Sequence, residues 1–344
     1  IILYLNEVLH YSQNGGRSDL REAILSLLRE AGSGFISGEE IAARLGVTRT
    51  AVWKHIQELR AAGYDIASQS RSGYTLRLAP DRLLASEIKH GLNTSLVGRE
   101  VFSYECLEST NNEAKKLAAA GAAEGTVVVA EEQTGGKGRL SRHFFSPAGK
   151  GIWFSVILRP PFLPQEAPKC TLLAAVAVAK AMAEAGLEPA IKWPNDLLYR
   201  NRKLVGILTE MSAEMDGIKY VVIGTGINVN IAREDFPEEI RDTAASLMEM
   251  KGEPLARVPF LQSVLREMER LYLDVVQEGF GPVFEAWRRY SVTLGQEVQV
   301  IGVKNGEKYL GRAVDIDEDG ALLVDTEGGL RRVLAGDVSI RAQN

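Results

Sequence analysis

The sequence predicts an α+β fold divided into several domains. Three observations carry this. Helix-period segments and one short hairpin pattern fill residues 19–79. Apolar, partly β-branched strand runs and helix-length segments follow over 83–290. Short strands separated by glycine turns occupy 295–344. With 344 residues, 45% of them apolar and 25% charged, the chain can build more than one core. A net charge of −5 announces neither nucleic acid nor membrane in bulk, so any DNA contact must be a local patch.

Residues 1–18 end in Gln-Asn-Gly-Gly-Arg-Ser and read as a poorly ordered extension. Their apolar start lacks a basic leader and a cleavage site, and no run is long enough to span a bilayer. No membrane partner is expected. Cys106 and Cys170 are isolated and the four histidines form no ligand cluster, which points to a reducing cytoplasm and no zinc.

In 19–79, Leu20, Ile24, Leu27 and Leu28 share a helix face. Ser37 and Glu40 open a second helix as a capping box, and Gly46 closes it. Thr48 caps a third, whose buried stripe is Val52, Ile56 and Leu59. Helix, glycine turn, helix is a helix-turn-helix, and Ile66 to Leu76 adds a wing. Arg49, Thr50, Lys54 and His55 are expected on the outward face of the third helix, with Arg71 at the wing tip, positioned to meet bases and phosphates. A winged helix used only for protein contacts is the competing reading. Charges in this segment nearly balance, so DNA binding implies a dimer on a two-part site.

In 83–290, Leu83 to Leu92 reads as a connecting helix and Val101 to Leu107 as a strand. Ser109 or Thr110 then caps an alanine-rich helix. The strand Thr126 to Ala130 leads into Glu131 to His143, where Gly135, Gly136 and Gly138 suit positive φ and Lys137, Arg139 and Arg142 supply cations. Such a loop suits an enclosed anion, or is a solvated surface loop. Its spacing is not that of a P-loop. Further on, Lys192-Trp-Pro-Asn195-Asp196 sits between apolar residues, its Asn-Asp either a turn or a magnesium and nucleotide pair. The strand Tyr220 to Ile223 runs into a glycine-broken end, Gly224 to Asn230, without the spacing of a dinucleotide fingerprint.

Together these pieces resemble the biotin–protein ligases. The motifs are Ser-Thr-Asn at 109–111, Gln-Thr-x-Gly-x-Gly-Arg at 133–139, Lys-Trp-Pro-Asn-Asp at 192–196, Arg-Lys-Leu-x-Gly-Ile-Leu at 202–208, and Gly-x-Gly-Ile-Asn at 224–228. With the winged helix in front, the chain resembles the members that are both ligase and biotin operon repressor. The resemblance implies a class II synthetase-like mixed sheet with helices in the centre and an SH3-like β-barrel at the end. It implies that Ser109, Thr110, Asn111 and Gln133 hold the biotin head group, while Lys137, Gly138 and Arg139 close over biotin and the adenylate phosphate. Lys203 would lie at the biotin carboxylate. Lys192, Asn195 and Asp196 would serve ATP and Mg²⁺, with Asp196 the metal ligand and Asn228 near the nucleotide. Arg139, Lys203 and Lys192 are the catalytic candidates. Trp153 is either pocket wall or core.

The implied reaction makes biotinyl-5′-AMP from biotin and ATP, then transfers biotin to a lysine of the biotin carboxyl carrier protein of acetyl-CoA carboxylase. ATP and Mg²⁺ are co-substrates, with no bound prosthetic group. The implied regulator binds operator DNA as a homodimer loaded with the adenylate. Three residues depart from the family pattern. Lys137 stands for an arginine, Ser141 for a glycine and Phe144 for the common tryptophan. They imply weaker adenylate retention, and a biotin-sensing regulator with impaired ligation is the alternative function.

Overall fold

The computed structural model describes residues 20–214, 217–302, 307–335 and 338–342. The extension 1–18 lies outside these. The chain divides into two compact units that part between Asp81 and Arg82.

The first unit holds α1 (20–30), α2 (Gly38–Leu45), α3 (Arg49–Ala61), β1 (Asp65–Gln69) and β2 (Gly73–Leu78). Ile24, Leu28, Ile41, Val52 and Ile56 are fully buried and form its core. Ser37 Oγ accepts from Glu40 N at 3.0 Å and Thr48 Oγ1 from Ala51 N at 3.2 Å, so both expected caps form. The Glu40 carboxylate takes Arg44 instead of returning to the cap. Gly46 ends α2 with φ 67°, the left-handed conformation that glycine adopts freely. The β1–β2 wing is antiparallel, with Arg71 exposed at its tip.

The second unit is built on a seven-stranded mixed sheet. Its strands are β3 (Val101–Leu107), β4 (Val127–Gln133), β5 (Gly151–Leu158), β6 (Ile191–Lys192), β7 (Asp196–Tyr199), β8 (Arg202–Glu214) and β9 (Gly217–Asn228). The spatial order is β3-β4-β5-β9-β8-β7-β6, and only β3–β4 is parallel. Val127, Val129, Val156 and Ile223 face one way, into a core shared with α6 (Lys169–Glu184), α9 (Arg257–Glu278) and α10 (Gly281–Tyr290). Val128, Ile157 and Val222 face the other way, under Ala114 and Ala118 of α5 (Thr110–Ala119). Cover on both faces explains why these strands read as continuous apolar runs. Short helices α4 (Ala85–Lys89), α7 (Glu238–Arg241) and α8 (Leu247–Lys251) complete the unit. Thus the expected helix over 83–92 forms only at its centre.

The C-terminal strands are β10 (Glu297–Gly302), β11 (Lys308–Ile316), β12 (Leu322–Thr326), β13 (Gly329–Val333) and β14 (Val338–Ala342). They make a five-stranded antiparallel sheet in the order β13-β12-β11-β10-β14. The small β-domain implied by the resemblance is present, with β14 unforeseen. Val298, Val300, Leu322 and Val324 join the same hydrophobic cluster as the central sheet. Trp193 Nε1 donates to Gly320 O at 3.1 Å, and Arg288 Nε to Asp315 Oδ1 at 2.6 Å. The expected boundary at 290–295 is therefore no break in packing. Among the described residues no helix is long and apolar enough to cross a membrane.

Candidate ligand site and candidate DNA-binding helix

The strand end expected to break at Gly224 instead continues as β9 through Asn228, paired with β5 on one side and β8 on the other. The glycines serve close approach. A Cβ at Gly224 would fall 1.9 Å from Asn111 Oδ1, and one at Gly226 2.6 Å from the Phe144 ring. Gly206 on β8 pairs with Gly226 and likewise lies under Phe144. Three side-chain-free positions thus open a recess in the sheet face.

Two cavities adjoin there. The inner recess is lined by Ser109, Thr110, Asn111, Gln133, Lys137 and Gly138, with Lys203. The outer cavity, about 420 Å³, is lined by Arg139, Lys192, Asn195, Asp196, Lys203 and Asn228. Its volume suits a ligand of nucleotide size. Gly138, Phe144, Asn195 and Lys203 border both. Every residue proposed for biotin or ATP from the sequence lines one cavity or the other.

Their bonding differs from the expectation in detail. Ser109 occupies the N-cap of α5 but makes no side-chain cap bond. Gln133 Oε1 fills that role across the fold, accepting from Thr110 N at 2.8 Å and Thr110 Oγ1 at 3.1 Å. Gln133 Nε2 donates to Ser146 Oγ at 3.2 Å. Asn195 Nδ2 donates to Ile207 O at 2.9 Å, and its Oδ1 accepts from Arg139 at 3.3 Å. Asn228 Nδ2 donates to Ala245 O at 3.0 Å. These asparagines build the cavity walls. Arg139 also donates to Ala335 O, beyond β13, so the C-terminal sheet helps hold it. Burial lowers the Arg139 pKa from its ordinary value, with the Asp196 charge opposing the shift.

The loop glycines do not take positive φ; in that segment the left-handed residue is Leu140, at φ 58°. Gly136 is needed because a Cβ would meet Phe144 O at 2.4 Å. The loop doubles back through Gly138 N to Arg142 O (2.7 Å) and Phe144 N to Gly136 O (2.8 Å). Lys137 Nζ stands 3.9 Å from Glu108. Trp153 is fully buried, edge-on to Phe144, and resolves as core beneath the site.

Among the described residues no three His, Cys, Asp or Glu side chains gather as a metal site. Mg²⁺ in nucleotide sites is commonly held by one or two carboxylates plus phosphates, so Asp196 alone fits that need.

On α3, Arg49, Thr50 and Lys54 are exposed. His55 is not: it is 8% exposed, with Nδ1 2.9 Å from Glu58 Oε2. It lies beside Ile56 and three residues after Val52, close enough to the apolar stripe to turn inward. Trp53, which the apolar pattern passed over, is 55% exposed beside Lys54.

Three family models match the chain: an HTH domain over residues 20–75, the biotin/lipoate A/B protein ligase family over 103–228, and the biotin protein ligase C-terminal domain over 293–341. The chain is 44% identical to the bifunctional ligase/repressor BirA of Bacillus spizizenii, over 94% of this chain and 99% of that protein. This chain belongs to the biotin protein ligase family. A second relative, the bifunctional ligase/repressor BirA of Escherichia coli, is 30% identical over 90% of this chain and 94% of its own length. The solved biotin protein ligase from Aquifex aeolicus in complex with biotin and ATP matches with a TM-score of 0.61 and 30% identity, covering 71% of this chain and all of that one. Within this ligase site, Ser155 and Glu210 went unread in the sequence. Both hydrogen-bond the Asn111 amide, and no local motif marks them.

Proposed function

We infer that the protein is a biotin ligase that also represses transcription in response to biotin. The observation that carries this is the pair of adjoining cavities bordered by Lys203 and Phe144, on a chain that also carries a winged helix-turn-helix. Biotin takes the inner recess, its head group among Ser109, Thr110, Asn111 and Gln133, its carboxylate toward Lys203. ATP takes the outer cavity.

A carboxylate oxygen of biotin attacks the α-phosphorus, the bond to the bridging oxygen breaks, and pyrophosphate leaves. Two anions must meet, and Arg139, Lys192 and Lys203 offset their repulsion. Mg²⁺, when bound, neutralises phosphate charge, and Asp196 would hold it. The product is a mixed anhydride that water destroys, so the loop between Gln133 and Ser146 shields it. A carrier lysine amine then attacks the acyl carbon, forming the amide, and AMP leaves. No prosthetic group takes part. The acceptor is a biotin carboxyl carrier protein in the cytoplasm.

For repression, Arg49, Thr50, Lys54 and Arg71 meet operator DNA, and a homodimer loaded with biotinyl-5′-AMP supplies two such faces. Binding of the adenylate is thereby linked to DNA through dimerisation. A sensor with impaired ligation is the second reading, favoured by Lys137 and Ser141 in the closing loop.

Biotin-dependent ATP–pyrophosphate exchange, followed by transfer to a carrier domain, tests the ligase. Exchange with transfer is expected. Biotin-dependent dimerisation and DNA binding without exchange would replace the ligase with the sensor.

A further inference from the structure

Glu210 lies on β8, past Gly206 at the floor of the inner recess. Its Oε2 accepts from Asn111 Nδ2 at 2.8 Å, and its Oε1 pairs with Lys115 Nζ at 2.7 Å. Asn111 Nδ2 also donates to Leu208 O at 3.2 Å. On the other side of the same amide, Ser155 Oγ donates to Asn111 Oδ1 at 2.7 Å.

A primary amide has two N–H donors and two oxygen lone pairs. Both Asn111 donors are spent on Glu210 and Leu208. One oxygen lone pair serves Ser155. The other is not taken up by a donor among the described residues, and Oδ1 lies against Gly224, whose missing Cβ makes room for it, where both residues line the recess. The recess therefore meets Asn111 as an acceptor. An amide can turn over and exchange its two ends. Ser155 does not prevent this, because a hydroxyl both donates and accepts. An ionised carboxylate and a backbone carbonyl only accept, so the turned amide would set oxygen against oxygen at Glu210 and at Leu208, with the charged and shorter contact at Glu210 the stronger of the two.

We propose that Glu210 is a positioning residue for biotin. It fixes the Asn111 amide with its oxygen toward the recess, where that oxygen accepts a ureido N–H of the ligand. Lys115 keeps the carboxylate paired and has no direct part in the recognition. The inference rests on the biotin reading of the inner recess.

Glu210→Gln keeps the shape but accepts either end of the Asn111 amide, leaving only the longer 3.2 Å bond to Leu208 O to favour one orientation. Titration calorimetry of the full chain with biotin alone is expected to show Kd rising roughly 10- to 100-fold. KM for ATP in the exchange assay, at saturating biotin, should stay within about threefold. Lys115→Met, which retains the carboxylate, should bind biotin within about threefold of the unmodified protein. A wild-type Kd in E210Q overturns the proposal. So does an equal loss in K115M, because the ion pair would then be what matters. A parallel rise in the biotin and ATP constants, with a lowered melting temperature, would mark a merely structural role. If E210Q does not fold, Glu210→Asp sets the acceptor back by one methylene; it should lose at least about threefold in biotin affinity, and an unchanged Kd sinks the idea. Failure of the unmodified protein to bind biotin would instead remove the biotin reading itself.

Discussion

Lys203 Nζ lies 2.7 Å from Asp196 Oδ1 and 5.6 Å above the centre of the Phe144 ring. The ammonium thus borders both cavities, held by the carboxylate and by the aromatic face beneath it. The same cation serves the biotin carboxylate in the proposed reaction. Lys203→Met should therefore lower kcat/KM for biotin-dependent exchange by roughly 100- to 1000-fold. Lys203→Arg, which keeps charge in a wider planar group, should recover only part of it. A loss under about tenfold in the methionine variant would remove Lys203 from the charge balance of the step.

Gly224→Ala places a methyl group 1.9 Å from Asn111 Oδ1. Either Asn111 or β9 has to shift, at a cost of about 1–3 kcal/mol. The displaced amide also leaves the recess, so biotin affinity should fall along with stability. Thermal melts and biotin titrations of one preparation check both. A stable variant with full biotin affinity would show that the recess has slack at its floor.

The paired sheet faces were legible because burial on both sides leaves uninterrupted apolar runs, as at Ile152 to Leu158. The end of β9 was not. Glycine and asparagine have low strand propensity, and only pairing with β5 and β8 keeps Gly224 to Asn228 extended. The residues proposed for the ligands were picked out by their motifs, and the structure gathers them around two adjoining cavities. Glu210 was hidden because its meaning depends on Asn111, 99 positions away in the chain. His55 was misplaced because helix geometry leaves the residue beside an apolar stripe free to turn either way.

The exposed face of α3 gives two separable outcomes. Lys54→Ala should weaken binding to all duplexes alike and reduce the slope of log affinity against log salt by about one. Trp53→Ala, which removes no charge, should leave that slope unchanged while altering the preferred sequence through lost apolar contact with base edges. Equal salt slopes for K54A and the unmodified protein would take Lys54 off the phosphate backbone.

Glu269 on α9 accepts from the backbone N–H groups of Ser95, Leu96 and Val97 at 2.8, 2.6 and 2.8 Å. Burial alone would raise its pKa, but these bonds outweigh it and hold the carboxyl below its ordinary 4.5. A depressed folded pKa contributes stability that is present above the unfolded pKa and is lost as pH falls through the folded value. Glu269→Gln should therefore be less stable than the unmodified protein at neutral pH. The gap should close as the pH drops from 4.5 toward and below the folded pKa. Urea melts of both proteins across that range measure it, and a gap independent of pH would assign the loss to packing.

Gly320 O and Ala335 O, both in the C-terminal sheet region, receive Trp193 and Arg139 from the central part of the chain. On a ribosome these two carbonyls emerge more than a hundred residues after the groups they receive. A growing chain that has already released the glycine-rich loop still lacks the supports that steady the loop arginine and the Trp-Pro hairpin. The outer cavity is thus fully braced only once residue 335 has emerged, and a chain stopped before Gly320 lacks both supports.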